Sequence, residues 1–95
     1  MSGYRIDRQM KEFGEHVRGW RMVLGLTAQQ VSERAGITRD TLRKIESGNP
    51  NVSFNSVTQV LRALGILDQL VDAADPLASD IGRLRAGRLT RKRAR

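Results

Sequence analysis

The chain has 95 residues, of which 39% are hydrophobic and 28% are charged, with a formal net charge of +7 and no cysteine. This length suits one domain folded around a single core, and the missing cysteines exclude a disulfide framework. Because we find no signal peptide and no long apolar run, we expect a cytoplasmic protein that does not enter membranes.

The positive charge is concentrated at the C-terminal end. Residues 1–75 hold ten Lys and Arg against nine Asp and Glu, whereas residues 76–95 hold seven basic residues against Asp80 alone. We therefore divide the chain into a nearly neutral domain, 1–75, and a basic C-terminal tail, 76–95.

Apolar residues at helical spacing predict a first helix with one buried stripe. The stripe consists of Phe13, Val17, Trp20 and Leu24, and Ile6 and Met10 extend it toward the N-terminus. We therefore expect Trp20 in the core. Gly14 and Gly19 each lower the intrinsic helix stability by about 1 kcal/mol relative to alanine, so this helix depends on tertiary packing.

The segment Thr27–Gly48, TAQQVSERAGITRDTLRKIESG, predicts two short helices joined by a tight turn. Thr27 and Gln30 form a capping box, Thr38 caps the second helix, and Gly36 lets the chain leave the first. The buried faces consist of Val31 and Ala35 on the first helix, and of Leu42 and Ile45 on the second. This pattern is typical of a DNA-binding helix-turn-helix.

Two further helices are predicted after the motif. Residues 49–51 form a turn, and Ser53 caps a fourth helix that ends at Gly65. We expect its core face to hold Phe54, Val57, Val60, Leu61 and Leu64. Residues 66–71 predict a short fifth helix, and their apolar excess indicates a dimer contact.

The tail begins with Asp75-Pro76, a favourable helix start, and then places Leu77, Ile81 and Leu84 on one helical face. We expect a short helix over 76–86 and disorder over 88–95. Three functions for the tail stay open: an arm that binds DNA phosphates, a segment that folds on a protein partner, and a solubilising extension.

Four short motifs lie at the spacings of one protein family. They are LGLT at Leu24–Thr27, AGIT at Ala35–Thr38, IESG at Ile45–Gly48 and RALG at Arg62–Gly65. From Arg21 to Gly65 the chain thus resembles Cro/repressor-type, XRE-like helix-turn-helix regulators. The resemblance implies an all-α fold, with a compact five-helix repressor-like DNA-binding domain and a basic C-terminal extension. This extension is long enough to form one further short helix.

The resemblance also implies roles for individual residues. Base contacts fall on Arg39, Asp40, Arg43 and Lys44, and phosphate contacts or caps fall on Thr27, Gln29, Thr38, Thr41, Ser47, Asn49 and Asn51. Arg39 is the first candidate for specificity, because an arginine near the helix start can bond guanine O6 and N7 together. Asp40 keeps three roles open: it can accept from cytosine N4, orient an arginine, or favour the helix N-terminus. Arg21 and Glu46 imply a largely buried ion pair.

Two positions depart from the family pattern. Many members have glutamine directly after the cap of the first motif helix, where this chain has Ala28, with Gln29 one position later. Ser32 stands where alanine is common. A less specific resemblance, to HipB-type antitoxins, rests on GNPNVSF at Gly48–Phe54 and on the C-terminal extension, and it implies a kinase-like toxin as partner.

An enzyme is not expected, because His16 is the single histidine, and Glu12 and Glu15 beside it fit a solvated helix face better than a metal site. We expect no catalytic residue, no metal and no cofactor. The sequence predicts a transcriptional regulator of double-stranded DNA, a repressor that binds an inverted repeat as a homodimer. The alternative is a HipB-like antitoxin that represses its own promoter and binds a toxin.

Overall fold

The computed structural model describes residues 2–89, and within them every regular element is a helix. The predicted all-α fold is therefore confirmed. The helices are α1 Ser2–Val23, α2 Ala28–Ala35, α3 Arg39–Glu46, α4 Phe54–Leu64, α5 Leu67–Ala73 and α6 Asp80–Leu84, with a 3₁₀ turn at Pro76–Ala78.

The helix-turn-helix is formed by α2 and α3, and its local chemistry is as predicted. Thr27 Oγ1 accepts from the Gln30 backbone N–H at 3.0 Å, while the Gln30 side chain accepts from the Thr27 backbone N–H at 2.8 Å, which completes the capping box. Gly36 ends α2 with φ +70°, a conformation that glycine adopts at little cost. Thr38 caps α3 by accepting from the Thr41 backbone N–H.

One apolar core joins the first four helices. Its buried members are Val17 from α1, Val31 and Ala35 from α2, Leu42 and Ile45 from α3, and Val60, Leu61 and Leu64 from α4. Ser32 is buried beside them, and its hydroxyl donates to the Ala28 carbonyl at 2.7 Å. The core fixes the rotation of α3, because Leu42 and Ile45 hold one side inward.

The predicted stripe is wrong at Trp20 and Ile6 on α1 and at Leu24, which follows the end of that helix. Trp20 is 41% exposed, Leu24 is 47% exposed, and Ile6 is also exposed. The inward line of α1 instead follows Gly14, Val17 and Arg21. Hydrophobicity alone therefore mispredicts which side of α1 faces the protein, because Gly14 and the paired Arg21 occupy two of the inward positions.

Phe54 is a second correction, because it is 72% exposed rather than part of the core. It is the first residue of α4, directly after the Ser53 cap. The core side chains of α4 begin one turn later, so the first turn projects its aromatic ring into solvent.

The helix α1 crosses the end of α3 at two glycines. A Cβ on Gly14 would lie 2.6 Å from the Glu46 carbonyl oxygen, and a Cβ on Gly48 would lie 2.7 Å from Lys11 Cα. Gly48 also has φ +80°. These backbones approach so closely only because both residues lack side chains, and the contact holds α3 against α1.

The tail segment forms two elements where one helix was expected. Ser79 is extended between the 3₁₀ turn and α6, and its hydroxyl caps α6 by accepting from the Gly82 backbone N–H. Leu77, Ile81 and Leu84 are all exposed, and residues 87–89 are helical again. The expectation of disorder concerns residues 90–95 for the most part, which lie outside the described residues.

Candidate nucleic-acid interface

The exposed side of α3 carries the four predicted base-contacting residues. The buried positions of α3 are Leu42 and Ile45, and the outward positions are Arg39, Asp40, Arg43 and Lys44. An eight-residue helix with this division presents a short polar face of the size that enters a major groove.

Asp40 is paired with both basic residues that follow it on α3. Its carboxylate lies 2.5 Å from an Arg43 guanidinium nitrogen and 3.3 Å from Lys44 Nζ. Hydrogen bonds from Arg43 and then Lys44 lower the pKa of Asp40 below its usual value. Two of the three roles left open for Asp40 fit this geometry: it pairs with a neighbouring arginine, and as a first-turn acid of α3 it lies near the helix N-terminus.

Arg39 differs from the other cations of α3. Its side chain is exposed and, among residues 2–89, forms neither a salt bridge nor a side-chain hydrogen bond. It occupies the first position of the helix, after the Thr38 cap. It can therefore bond a base or a phosphate without first leaving an internal partner.

The predicted phosphate-contacting residues lie in the first turns of α2 and α3, at the end of α3 and in the loop that follows it, and most of them bond to nearby backbone groups. Gln29 donates to Glu33 at 2.8 Å, Ser47 donates to the Lys44 carbonyl at 2.9 Å, and the Asn49 side chain accepts from the Asn51 backbone N–H. Thr27, Thr38 and Thr41 belong to the two caps. Caps leave other donors free, so capping and phosphate contact are compatible here.

Arg21 and Glu46 join α1 to the last residue of α3. The guanidinium donates twice to the carboxylate, at 2.7 Å and 3.0 Å, and the two side chains are 16% and 11% exposed. The hydrogen bonds from Arg21 to Glu46 raise the pKa of Arg21. Together with the contact at Gly14, this bidentate pair sets the position of α3 on the domain.

A groove of about 740 Å³ runs between α1, the start of α2 and α3. Its polar lining consists of Arg18, Arg21, Arg39, Asp40, Arg43, Glu46 and Ser47, with Ala28 and Leu42 as the apolar part. Arg18 was not among the predicted site residues. Its spacing from Arg21, three positions along α1, was the available sequence indication that it shares the face toward α3.

The comparisons with known proteins agree with this architecture. The family model described as "Helix-turn-helix domain" matches residues 12–74. The chain belongs to this family. It is also 39% identical over 49 residues, covering 52% of this chain and 71% of the relative, to an uncharacterized HTH-type transcriptional regulator of Methanothermobacter thermautotrophicus. The prediction of an XRE-like helix-turn-helix regulator is thus confirmed. No solved structure matches the chain.

Among the described residues, neither a metal cluster nor a membrane helix accompanies this interface. In the part of the chain from 2 to 89, no group of three or more His, Asp or Glu side chains could hold a metal ion. None of the helices there has the length and apolar character needed to cross a bilayer.

Proposed function

We propose that this helix-turn-helix regulator is a repressor that binds an inverted repeat of double-stranded DNA as a homodimer. The observation that carries the proposal is the outward face of α3, where Arg39 is unpaired among the described residues and Arg43 and Lys44 are held by Asp40. A dimer would place two α3 helices in successive major grooves about 34 Å apart. Occupying a promoter in this way would repress transcription.

Arg39 is assigned the main role in specificity. Its position at the start of α3 suits an approach to guanine O6 and N7, a bidentate contact worth about 1–3 kcal/mol of discrimination. Asp40 would orient the side chains of Arg43 and Lys44 through ion pairs that are exposed and therefore weak. Residues at the ends of α2 and α3 would contact phosphates, which orient the domain without distinguishing sequences.

The test is a selection of bound sequences from random duplex DNA, run with the wild type and with Arg39→Ala. We expect a palindromic motif for the wild type and loss of preference at one base pair in each half-site for the variant. Arg5→Ala, which removes an exposed arginine from the start of α1, is the matched control and should retain the motif. An unchanged motif for Arg39→Ala would refute the role of Arg39, and no motif for the wild type would refute the repressor.

The dimer has two candidate surfaces, one on α5 and one on the tail. Leu70 is half-buried on α5, and Ile81 is exposed on α6. A charged residue at either position should lower the mass in solution if that surface joins two copies. A wild-type monomer at all protein concentrations that support DNA binding would contradict the homodimer.

An antitoxin that also represses its own promoter is the second candidate. The exposed apolar side chains of the tail segment favour it: Leu77, Ile81 and Leu84 are 47%, 60% and 85% exposed. Such a face is stable in water mainly when a partner covers it. Co-expression with the kinase-like product of an adjacent gene separates the candidates, because only an antitoxin would form a complex with it and relieve its toxicity.

A further inference from the structure

The groove between α1 and α3 contains more positive than negative charge. Four arginines line it, against the two carboxylates Asp40 and Glu46. Each carboxylate is already occupied, since Asp40 pairs with Arg43 and Glu46 pairs with Arg21. Within residues 2–89 this leaves Arg18 and Arg39, one on each wall, without a carboxylate partner.

Arg18 is held at a defined place beside α3. It lies four positions after Gly14 and three before Arg21, and both of these residues contact the end of α3. The backbone that carries Arg18 therefore cannot move away from α3 without breaking the bidentate pair. Its side chain remains exposed and can reach a ligand in the groove.

The third wall of the groove, formed by α2, contributes no polar side chain to the lining. Ala28, the first residue of α2, lines the groove with a methyl group only. Within the lining of the groove, α1 and α2 therefore offer a ligand three kinds of donor: Arg18, Arg21, which is already paired with Glu46, and backbone N–H groups. A guanidinium with no internal partner is the strongest of these for an anion.

We propose that Arg18 binds a phosphate of the DNA backbone while α3 lies in the adjacent major groove. This inference rests on the proposed function and adds α1 to the DNA interface as a third contacting element, besides α2 and α3. The arginine contacts the sugar-phosphate strand at the edge of the groove, whereas Arg39 contacts bases. Because phosphates are the same in every sequence, Arg18 strengthens binding to all duplexes equally.

The experiment measures the salt dependence of binding for the full chain, on a duplex that carries the selected motif and on a random duplex of the same length. Arg18→Gln removes the charge, Arg18→Lys keeps it, and Arg5→Gln is the matched control. Arg5 is thirteen residues earlier on α1, which places it about 140° around the helix and away from α3. Thermal unfolding of each variant checks that the fold is retained.

We expect Arg18→Gln to reduce the slope of log K against log salt by about 0.9 on both duplexes. The wild type should then lose roughly 3.5-fold more affinity than this variant on raising the salt from about 50 to about 200 mM. Arg18→Lys should restore most of the slope, and Arg5→Gln should leave it unchanged.

Three results would overturn the proposal. If Arg18→Gln binds DNA normally and with the same salt dependence as the wild type, Arg18 is not part of the interface, and the proposed function is unaffected. An equal loss for Arg5→Gln would mean that net charge, and not position, governs binding. Failure of the wild type to bind either duplex would overturn both the proposed function and the role of Arg18.

Discussion

Replacing Gly14 with alanine tests the close contact that positions α3. In an ordinary helix interior, Gly→Ala stabilises by about 1 kcal/mol. At Gly14 the new methyl would meet the Glu46 carbonyl oxygen at 2.6 Å, the Ile45 carbonyl oxygen at 2.7 Å and the Gly48 nitrogen at 2.8 Å. All three are backbone atoms, which no side-chain rotation can move aside. The helices α1 and α3 must therefore separate to make room for the methyl group.

Overpacking of this kind costs about 1–3 kcal/mol, and rigid backbone neighbours place Gly14 at the upper end. Subtracting the gain in helix propensity leaves a net loss of about 2 kcal/mol, which for a domain of this size lowers Tm by about 8–16 °C. The same helix contains an internal control: a Cβ on Gly19 would have no atom within 4 Å. Gly19→Ala should therefore raise Tm by about 4–8 °C.

Thermal unfolding followed by circular dichroism at 222 nm, a wavelength that reports α-helix, measures both variants under one condition. Opposite signs for Gly14→Ala and Gly19→Ala are the expected outcome. If Gly14→Ala were as stable as the wild type or more stable, the close approach of α1 and α3 would be refuted. Loss of stability in both variants would instead refute the open surroundings of Gly19.

Three further predictions concern side chains. Glu46→Gln leaves the largely buried Arg21 without its carboxylate partner and should lower the free energy of unfolding, measured by urea titration, by about 3 kcal/mol. Adding Arg21→Gln to this variant should lower it little further, and additive losses would contradict a coupled pair. Asp40→Asn should be less stable than the wild type above the unfolded-state pKa of about 3.9, because the lowered pKa of Asp40 means that its carboxylate stabilises the folded state. This difference should vanish as the pH falls through the lowered folded-state pKa, and a difference that grows in acid would contradict the assignment. Ser32→Ala should raise the unfolding free energy by about 0.5 kcal/mol, because the lost hydroxyl bonds only to its own helix; a clear loss would indicate a contact that the geometry lacks.

Local patterns determined the elements of this protein. The capping box at Thr27, the left-handed glycine at Gly36 and the apolar spacing of Leu42 and Ile45 depend on neighbours within one or two turns, so the sequence alone indicated α2, α3 and the face of α3 that stays exposed. The same patterns, at the spacings of a known family, were enough to predict the helix-turn-helix regulator. Such features require no knowledge of distant contacts.

Tertiary structure decided the orientation of α1 and the charge of the groove. Trp20 has the hydrophobicity of a core residue, yet the inward line runs through Gly14 and Arg21, because backbone contact and a bidentate ion pair hold that side against α3. Pairing between distant residues likewise determines that Arg21 is occupied while Arg18 is free among the described residues. Hydrophobic periodicity reflects only how favourably each residue leaves water. It contains no information on which distant residue neutralises a buried charge, or on where a close backbone contact requires glycine.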